Sequence, residues 1–151
     1  METTMNVKIK KIHPEAKVPV YGSKGAACFD LYAANIIDTT DDNGERTVTY
    51  GTGLQFEVPE GHVMMVYSRS GHGFKYGITL ANGTGVIDAD YRGEVCVKLR
   101  KSGTDIHGMP CVGERIAQAM FIPVEQVSFE EADELSDTER GAGGFGSTGV
   151  K

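Results

Sequence analysis

Thr47-Val-Thr-Tyr50, Gly51-Thr-Gly53, Leu54-Gln-Phe-Glu-Val58, Pro59-Glu-Gly61 and His62-Val-Met-Met-Val-Tyr67 follow one another without interruption. Short β-branched and aromatic runs alternate with breaks that carry glycine or proline, which is the grammar of short strands joined by tight turns. Gly51-Thr-Gly53 reads as a hairpin-like break and Pro59-Glu-Gly61 as a turn. The same grammar extends outward to residues 7–10, 28–32, 78–81, 85–87, 95–99 and 116–124. Turn residues recur about every 8–12 positions, the spacing of an all-β sandwich, barrel or jelly roll. Helical signal is thin. Residues 68–75 and 130–135 are the two candidates, so one or two short helices are expected at most. Strands do not alternate with helices, which disfavours a doubly wound sheet.

The chain has 151 residues, enough for one domain with a real core. Its net charge of −6 argues against a general DNA or RNA binder, whose phosphate contacts need a basic surface. A small phosphorylated ligand needs only a few local arginines. The three cysteines, Cys28, Cys96 and Cys111, form no C-x-x-C pair, so neither a disulfide framework nor a zinc site is indicated. The N-terminal residues lack the apolar run of a signal peptide, and no stretch reaches membrane-spanning length. A cytoplasmic protein with no membrane or nucleic-acid partner is expected.

Five segments carry polar groups that core packing does not require. In Arg140-Gly-Ala-Gly-Gly-Phe-Gly-Ser-Thr-Gly149, half of the residues are glycine. Glycines let backbone N–H groups approach an anion. Arg140, Ser147 and Thr148 add donors, and Phe145 adds a flat face suited to a nucleobase. The segment reads as a lid for a nucleotide, on an acidic leash over residues 130–139. In Gly85-Val-Ile-Asp-Ala-Asp-Tyr-Arg-Gly-Glu94, two carboxylates stand two apart beside Tyr91. An aspartate in a turn ordinarily caps its own backbone. Asp88 or Asp90 could instead act as a general base, with Tyr91 against a sugar. In Tyr67-Ser-Arg-Ser-Gly-His-Gly73, Ser68 or Ser70 is expected to cap a short helix beside Arg69. In Gly113-Glu-Arg-Ile-Ala-Gln118, a Glu114–Arg115 surface pair is expected, with Gln118 between two alanines. Asp30 interrupts an apolar strand, where a charge is costly unless paired with an arginine. His72 and His107 read as ordinary surface histidines.

Taken in order, these segments resemble the five motifs of the trimeric deoxyuridine triphosphatase (dUTPase) family, over residues 26–149. GVIDADYRGE, GERIAQ and RGAGGFGSTG carry the likeness most closely. Two departures are Tyr67 before Ser-Arg-Ser-Gly, where the motif usually begins with proline, and Cys28-Phe29 before Asp30. The resemblance implies a jelly roll or distorted β-barrel over residues 1–139 and a flexible flap over residues 140–151. It implies a homotrimer with shared sites, and Mg²⁺ held by substrate phosphates and water rather than by a protein cage. The implied reaction is hydrolysis of dUTP to dUMP and pyrophosphate, which limits uracil entry into DNA and supplies dUMP for thymidylate synthesis.

Carried over by position, Asp88 would be the general base, Ser70 would sit near the leaving oxygen, and Asp30 would belong to the network behind. Arg69, Ser70, Gly71 and Gln118 would hold phosphate. Asn82, Gly85 and the hairpin as far as Tyr91 would read uracil, with Tyr91 under the deoxyribose. Arg140, Phe145, Gly146, Ser147 and Thr148 would close the site. A dCTP deaminase shares the implied fold, but Ser68-Arg-Ser-Gly71 fits the triphosphatase better. A nucleotide-gated binding module is the rival of another kind, and the presence of every expected catalytic group argues against it.

Overall fold

The computed structural model of the protein describes residues 5–42, 44–103 and 105–145. Among them the order is β1 (Lys8–Lys11), β2 (Phe29–Tyr32), β3 (Asn35–Asp42), β4 (Glu45–Gly51), β5 (Leu54–Glu57), β6 (His62–Tyr67), α1 (Ser70–Tyr76), β7 (Thr79–Leu80), β8 (Gly85–Ile87), β9 (Cys96–Ser102) and β10 (Arg115–Pro123). Two four-stranded sheets, β2-β10-β6-β8 and β3-β4-β9-β7, pack face to face, and β1 pairs with β5 in a small third sheet. Every pairing between these strands is antiparallel. This is a jelly roll whose sheets do not close into a barrel.

Alternation explains which face each strand buries. Val97 and Leu99 of β9 point inward between exposed neighbours, and Val48 and Tyr50 of β4 are buried on either side of the half-buried Thr49. Phe29 and Leu31 of β2 share the inner face of their sheet with Met64, Val66, Ile116 and Ala119, all within one contiguous core. Asp30 lies between Phe29 and Leu31, so the period of two turns it to the outer face.

Two expectations need correction, and one strand was not expected. β3 is long but carries only two large apolar residues, Ile36 and Ile37, both about half exposed. It is an edge strand, which needs no inward stripe, so its polar sequence concealed it. Residues 130–135 form no helix. Six of residues 130–139 are Glu or Asp within an exposed stretch, with no apolar face to pack a helix against a core.

Gly51-Thr-Gly53 is not a hairpin. β4 pairs with β3 and β9, whereas β5 pairs with β1, so the chain changes sheets at this point. Thr52 is fully buried at the corner. Its N–H and its hydroxyl both donate to the Val95 carbonyl, at 3.2 and 2.7 Å. Gly53 has φ +66°, and a Cβ there would lie 2.6 Å from the His13 Cβ and 2.8 Å from the Ala16 Cβ. Its N–H donates to Glu94 Oε1 at 2.7 Å.

Gly53→Ala is therefore expected to cost about 2–4 kcal/mol, from left-handed strain plus overpacking. Urea unfolding measures this, and an unchanged midpoint would show that the corner can relax.

Candidate active site

β6 ends at Tyr67, and the register places Gln118 opposite Tyr67 on one side and opposite Asp30 on the other. Paired residues share a face, so Asp30, Gln118 and Tyr67 form one row on the outer side of the sheet. Arg69 follows two residues later as the cap residue of α1. Its Nε donates to Asp30 Oδ1 at 3.2 Å, and Arg115 Nη1 donates to Oδ2 of the same carboxylate at 3.3 Å. The Asp30 side chain is 18% exposed, and the charge expected to need an arginine has two.

Neither serine caps α1 through its side chain. Arg69 is extended at φ −89°, and its carbonyl accepts from the N–H groups of His72 and Gly73. Ser68 instead accepts the Leu80 N–H at 2.9 Å, which ties the end of β6 to β7. Ser70 is exposed in the first helical turn, with Gly71 beside it. Gln118 Nε2 donates to the Ser68 carbonyl at 3.0 Å, leaving one amide N–H for a ligand. The expected Glu114–Arg115 pair does not form. Glu114 accepts the Cys111 N–H at 2.7 Å, and Arg115 turns to Asp30.

The far end of α1 is clamped. Gly77 adopts φ 65°, and the Ile78 N–H reaches back to the His72 carbonyl at 3.1 Å. The Tyr76 ring lies against Gly108, where a Cβ would clash with it, and meets His107 edge-on. The loop carrying Gly108 is held by Lys101, which donates to Asp105 and to the His107 carbonyl, and by the buried Tyr50 hydroxyl, which donates to Pro110 O. His107 is exposed as expected. His72 is not an ordinary surface histidine: it is half-buried and touches Arg69.

The acidic segment lies elsewhere. Val66 pairs with Gly85, where a Cβ would come within 2.9 Å of the Val66 Cβ, so only glycine lets β8 approach so closely. β8 runs antiparallel to β6, Ile87 faces Met64, and Asp88 follows towards Val63. Tyr67 and Val63 are separated by roughly 13 Å of strand, at about 3.3 Å per residue. Asp88 opens into a cleft of about 840 Å³ with Glu60, His62 and Asp90. Arg69 lines a different cleft of about 420 Å³ with Tyr32, His72, Tyr76, Glu114 and Arg115. Within one chain the cation and the acid stand at opposite ends of the sheet.

Neither Asp88 nor Asp90 uses its carboxylate to cap the backbone, since no hydrogen bond joins either to a described side chain or N–H. The turn is closed by the Tyr91 N–H donating to Asp88 O at 3.2 Å and by Arg92 donating to Ala89 O at 2.7 Å. Tyr91 donates to Glu94 O at 2.9 Å with its ring against Gly93. The expected hairpin over residues 82–91 is absent, because β8 pairs with β6 and β7 with β9. Asn82 stands in the turn between them and donates to Thr84 O at 3.1 Å.

Arg140 Nε donates to Gly143 O at 2.8 Å in a local turn, and Phe145 is fully exposed at φ 50°. Gly146, Ser147 and Thr148 lie outside the described residues. Among the described residues, no three His, Cys, Asp or Glu gather as a metal-ligand set, and no helix is long and apolar enough to cross a membrane.

A family model described as dUTPase matches residues 14–149. The chain belongs to the dUTPase family. A deoxyuridine 5'-triphosphate nucleotidohydrolase from Nautilia profundicola is 50% identical over 145 residues, covering 96% of this chain and 99% of that protein. One from Bdellovibrio bacteriovorus is 46% identical and covers 95% of each chain. Among solved structures, the dUTPase of Staphylococcus bacteriophage 80alpha with dUPNHPP matches at TM-score 0.82 and 26% identity, over 97% of this chain and all of that one.

Two groups at this candidate site were not legible in the sequence. Arg115 was legible only through its register opposite Tyr32, one step along from Asp30. His72 needed the turn of α1 that folds it back on Arg69.

Asp30→Ala is expected to lower stability by about 1.5–3 kcal/mol, the range for hydrogen bonds to charged groups, mostly through the less exposed Arg69. An unchanged denaturation midpoint would mean the two arginines find other partners.

Proposed function

We propose that this chain hydrolyses dUTP to dUMP and pyrophosphate in sites assembled between copies of itself, as a homotrimer. The observation that carries the reading is the separation of Arg69 from Asp88 along β6. A triphosphate held by Arg69 lies too far from Asp88 of the same chain for that carboxylate to reach its α-phosphorus. A second copy can present its Asp88 to the first copy's Arg69. The fully exposed Phe145 favours a third contribution, since its ring packs against no described residue of its own chain. On this reading residues 1–139 are the jelly-roll domain and residues 140–151 a flap over a neighbour's site.

In the mechanism, Asp88 accepts a proton from a water molecule as that water attacks the α-phosphorus in line. The new P–O bond forms as the bond to the α–β bridging oxygen breaks, and the electron pair leaves with pyrophosphate. Arg69 presents a guanidinium oriented by Asp30. Ser70 and Gly71 offer a hydroxyl and first-turn N–H groups that the helix does not use. The remaining N–H of Gln118 joins them. Mg²⁺ would be held by phosphate oxygens and water, as this ion prefers, and would offset phosphate charge.

Tyr91 packs under the deoxyribose, its hydroxyl already committed to Glu94 O, and leaves no room for a 2′-hydroxyl. Backbone groups from Asn82 through Gly85 to Tyr91 read uracil as a base partner would. Cytosine, with a donor where uracil has an acceptor, leaves buried groups unpaired. Phe145 stacks on the base, and Arg140, Gly146, Ser147 and Thr148 close on the γ-phosphate.

Pyrophosphate release from dUTP, dTTP, dCTP and UTP tests the reading, with release from dUTP alone expected. Ammonia release from dCTP would replace it with a deaminase. Asp88→Asn should retain dUTP binding and lose turnover by about 10²–10⁴-fold, the usual weight of a general base. Near-normal turnover would remove Asp88 from that role. Truncation before Arg140 should leave a folded trimer with poor turnover, and sedimentation with the same assay separates this from a loss of assembly.

A further inference from the structure

His72 stands where the proposed phosphate-binding arginine needs a second support. Its Nε2 lies 3.4 Å from Arg69 Nη1. A guanidinium has only donors, so Nε2 must be the acceptor and the ring proton must sit on Nδ1. That Nδ1 is buried and makes no hydrogen bond to a described residue. The tautomer therefore follows from geometry: the reverse arrangement would set two donors against each other.

We propose that neutral His72 is a positioning residue for Arg69, and that its protonation releases the guanidinium and weakens binding of the substrate triphosphate. The inference rests on the reading of Arg69 as a phosphate ligand. Asp30 holds Arg69 through Nε, and His72 holds it through Nη1. Two supports on one planar group fix its rotation, whereas one leaves a hinge. Protonated His72 cannot accept, and it would set a second cation against the first.

The titratable and charged groups that line the cleft with His72 come from three elements. Arg69 and Tyr76 belong to α1, Tyr32 to β2, and Glu114 and Arg115 to the approach and start of β10. Asp30 lies behind Arg69 on β2. Burial and the Arg69 guanidinium hold the imidazole below the ordinary histidine range, Arg115 adds to this, and Glu114 opposes it. The sign follows. The unfolded chain takes up its proton near pH 6.5 and the folded chain only at lower pH. The neutral, supporting form is thus complete above about pH 6.5 and is lost as pH falls through the lower folded value.

The test compares wild type, His72→Gln and His72→Leu from pH 5 to 8.5. KM and kcat come from pyrophosphate release, and affinity comes from the non-hydrolysable analogue dUpNHpp. Glutamine can accept from Arg69 but does not titrate; leucine can do neither. At pH 8, His72→Leu should raise KM and weaken the analogue by about two- to tenfold, the equivalent of one hydrogen bond, with kcat nearly unchanged. His72→Gln should restore wild-type values at pH 8 and lose the part of the acid-side rise in KM that wild type shows. Nitrogen NMR of the histidine side chains, assigned with His72→Gln, should find His72 protonated at Nδ1 at neutral pH.

The proposal is overturned if His72→Leu matches wild type at pH 8, if His72→Gln keeps the full acid-side rise, or if the proton resides on Nε2. A wild type that binds the analogue but releases no pyrophosphate would defeat the proposed reaction alone, because analogue binding and the NMR tautomer still test His72.

Discussion

β6 is hydrogen-bonded on both sides, and its register against β10 and β8 sets the distance between every polar group at this site. Tyr67, Gln118 and Asp30 form a row at one end of the strand, and Asp88 follows from the other. A slip of β6 by one residue would turn Tyr67 into the core and Val66 out of it, because the side-chain period of a strand is two. The slip is prevented from beneath: Met64 and Val66 are buried, and Val66 faces a glycine that no larger residue could replace at that spacing. The chemistry on the outer face is thus positioned by apolar packing on the inner one.

That separation also has an electrostatic consequence. Asp88 does not neutralise Arg69, so Arg69 keeps Asp30 as its carboxylate partner and retains donors directed elsewhere. An arginine held by one carboxylate is oriented without being consumed, since five N–H donors exceed what a single acceptor can use. Arg115 shares the same carboxylate and is half exposed, so screening by water makes it the weaker arm. The helix that carries Ser70 and Gly71 is fixed at its start by Arg69 and at its end by Tyr76 on Gly108. Seven residues make a marginal helix in isolation, so its rigidity comes from these two anchors.

Much of this was legible in the chain. The strand over residues 62–67 and the short strand over residues 85–87 stand where alternation and turn residues put them. β3 was not legible, because an edge strand can be polar throughout and still complete a ladder. The Gly-Thr-Gly corner was misread as a hairpin for a deeper reason. Local signals mark where a strand stops, but whether the next strand returns or crosses to another sheet depends on partners far along the chain. For Thr52 that partner is Val95. The site shows the same limit. Asp30 in an apolar run announced its need for a cation, yet Arg115 is 85 residues away and only the register brings them together.

The stretch beyond β10 raises the complementary question of what an exposed segment is for. Phe129 is 95% exposed, Leu135 89% and Val127 66%, among many carboxylates. At about 25 cal/mol per Å², leaving such side chains in water forgoes stabilisation of a few kcal/mol that docking would recover. A lone chain has no use for an arm that reaches away from its own core. It has equally little use for a cationic end and an acid end that cannot meet. The proposed assembly of identical chains would remove both difficulties, because the arm would gain a surface and each Arg69 an Asp88. Two unrelated features, one hydrophobic and one chemical, thus favour the same arrangement.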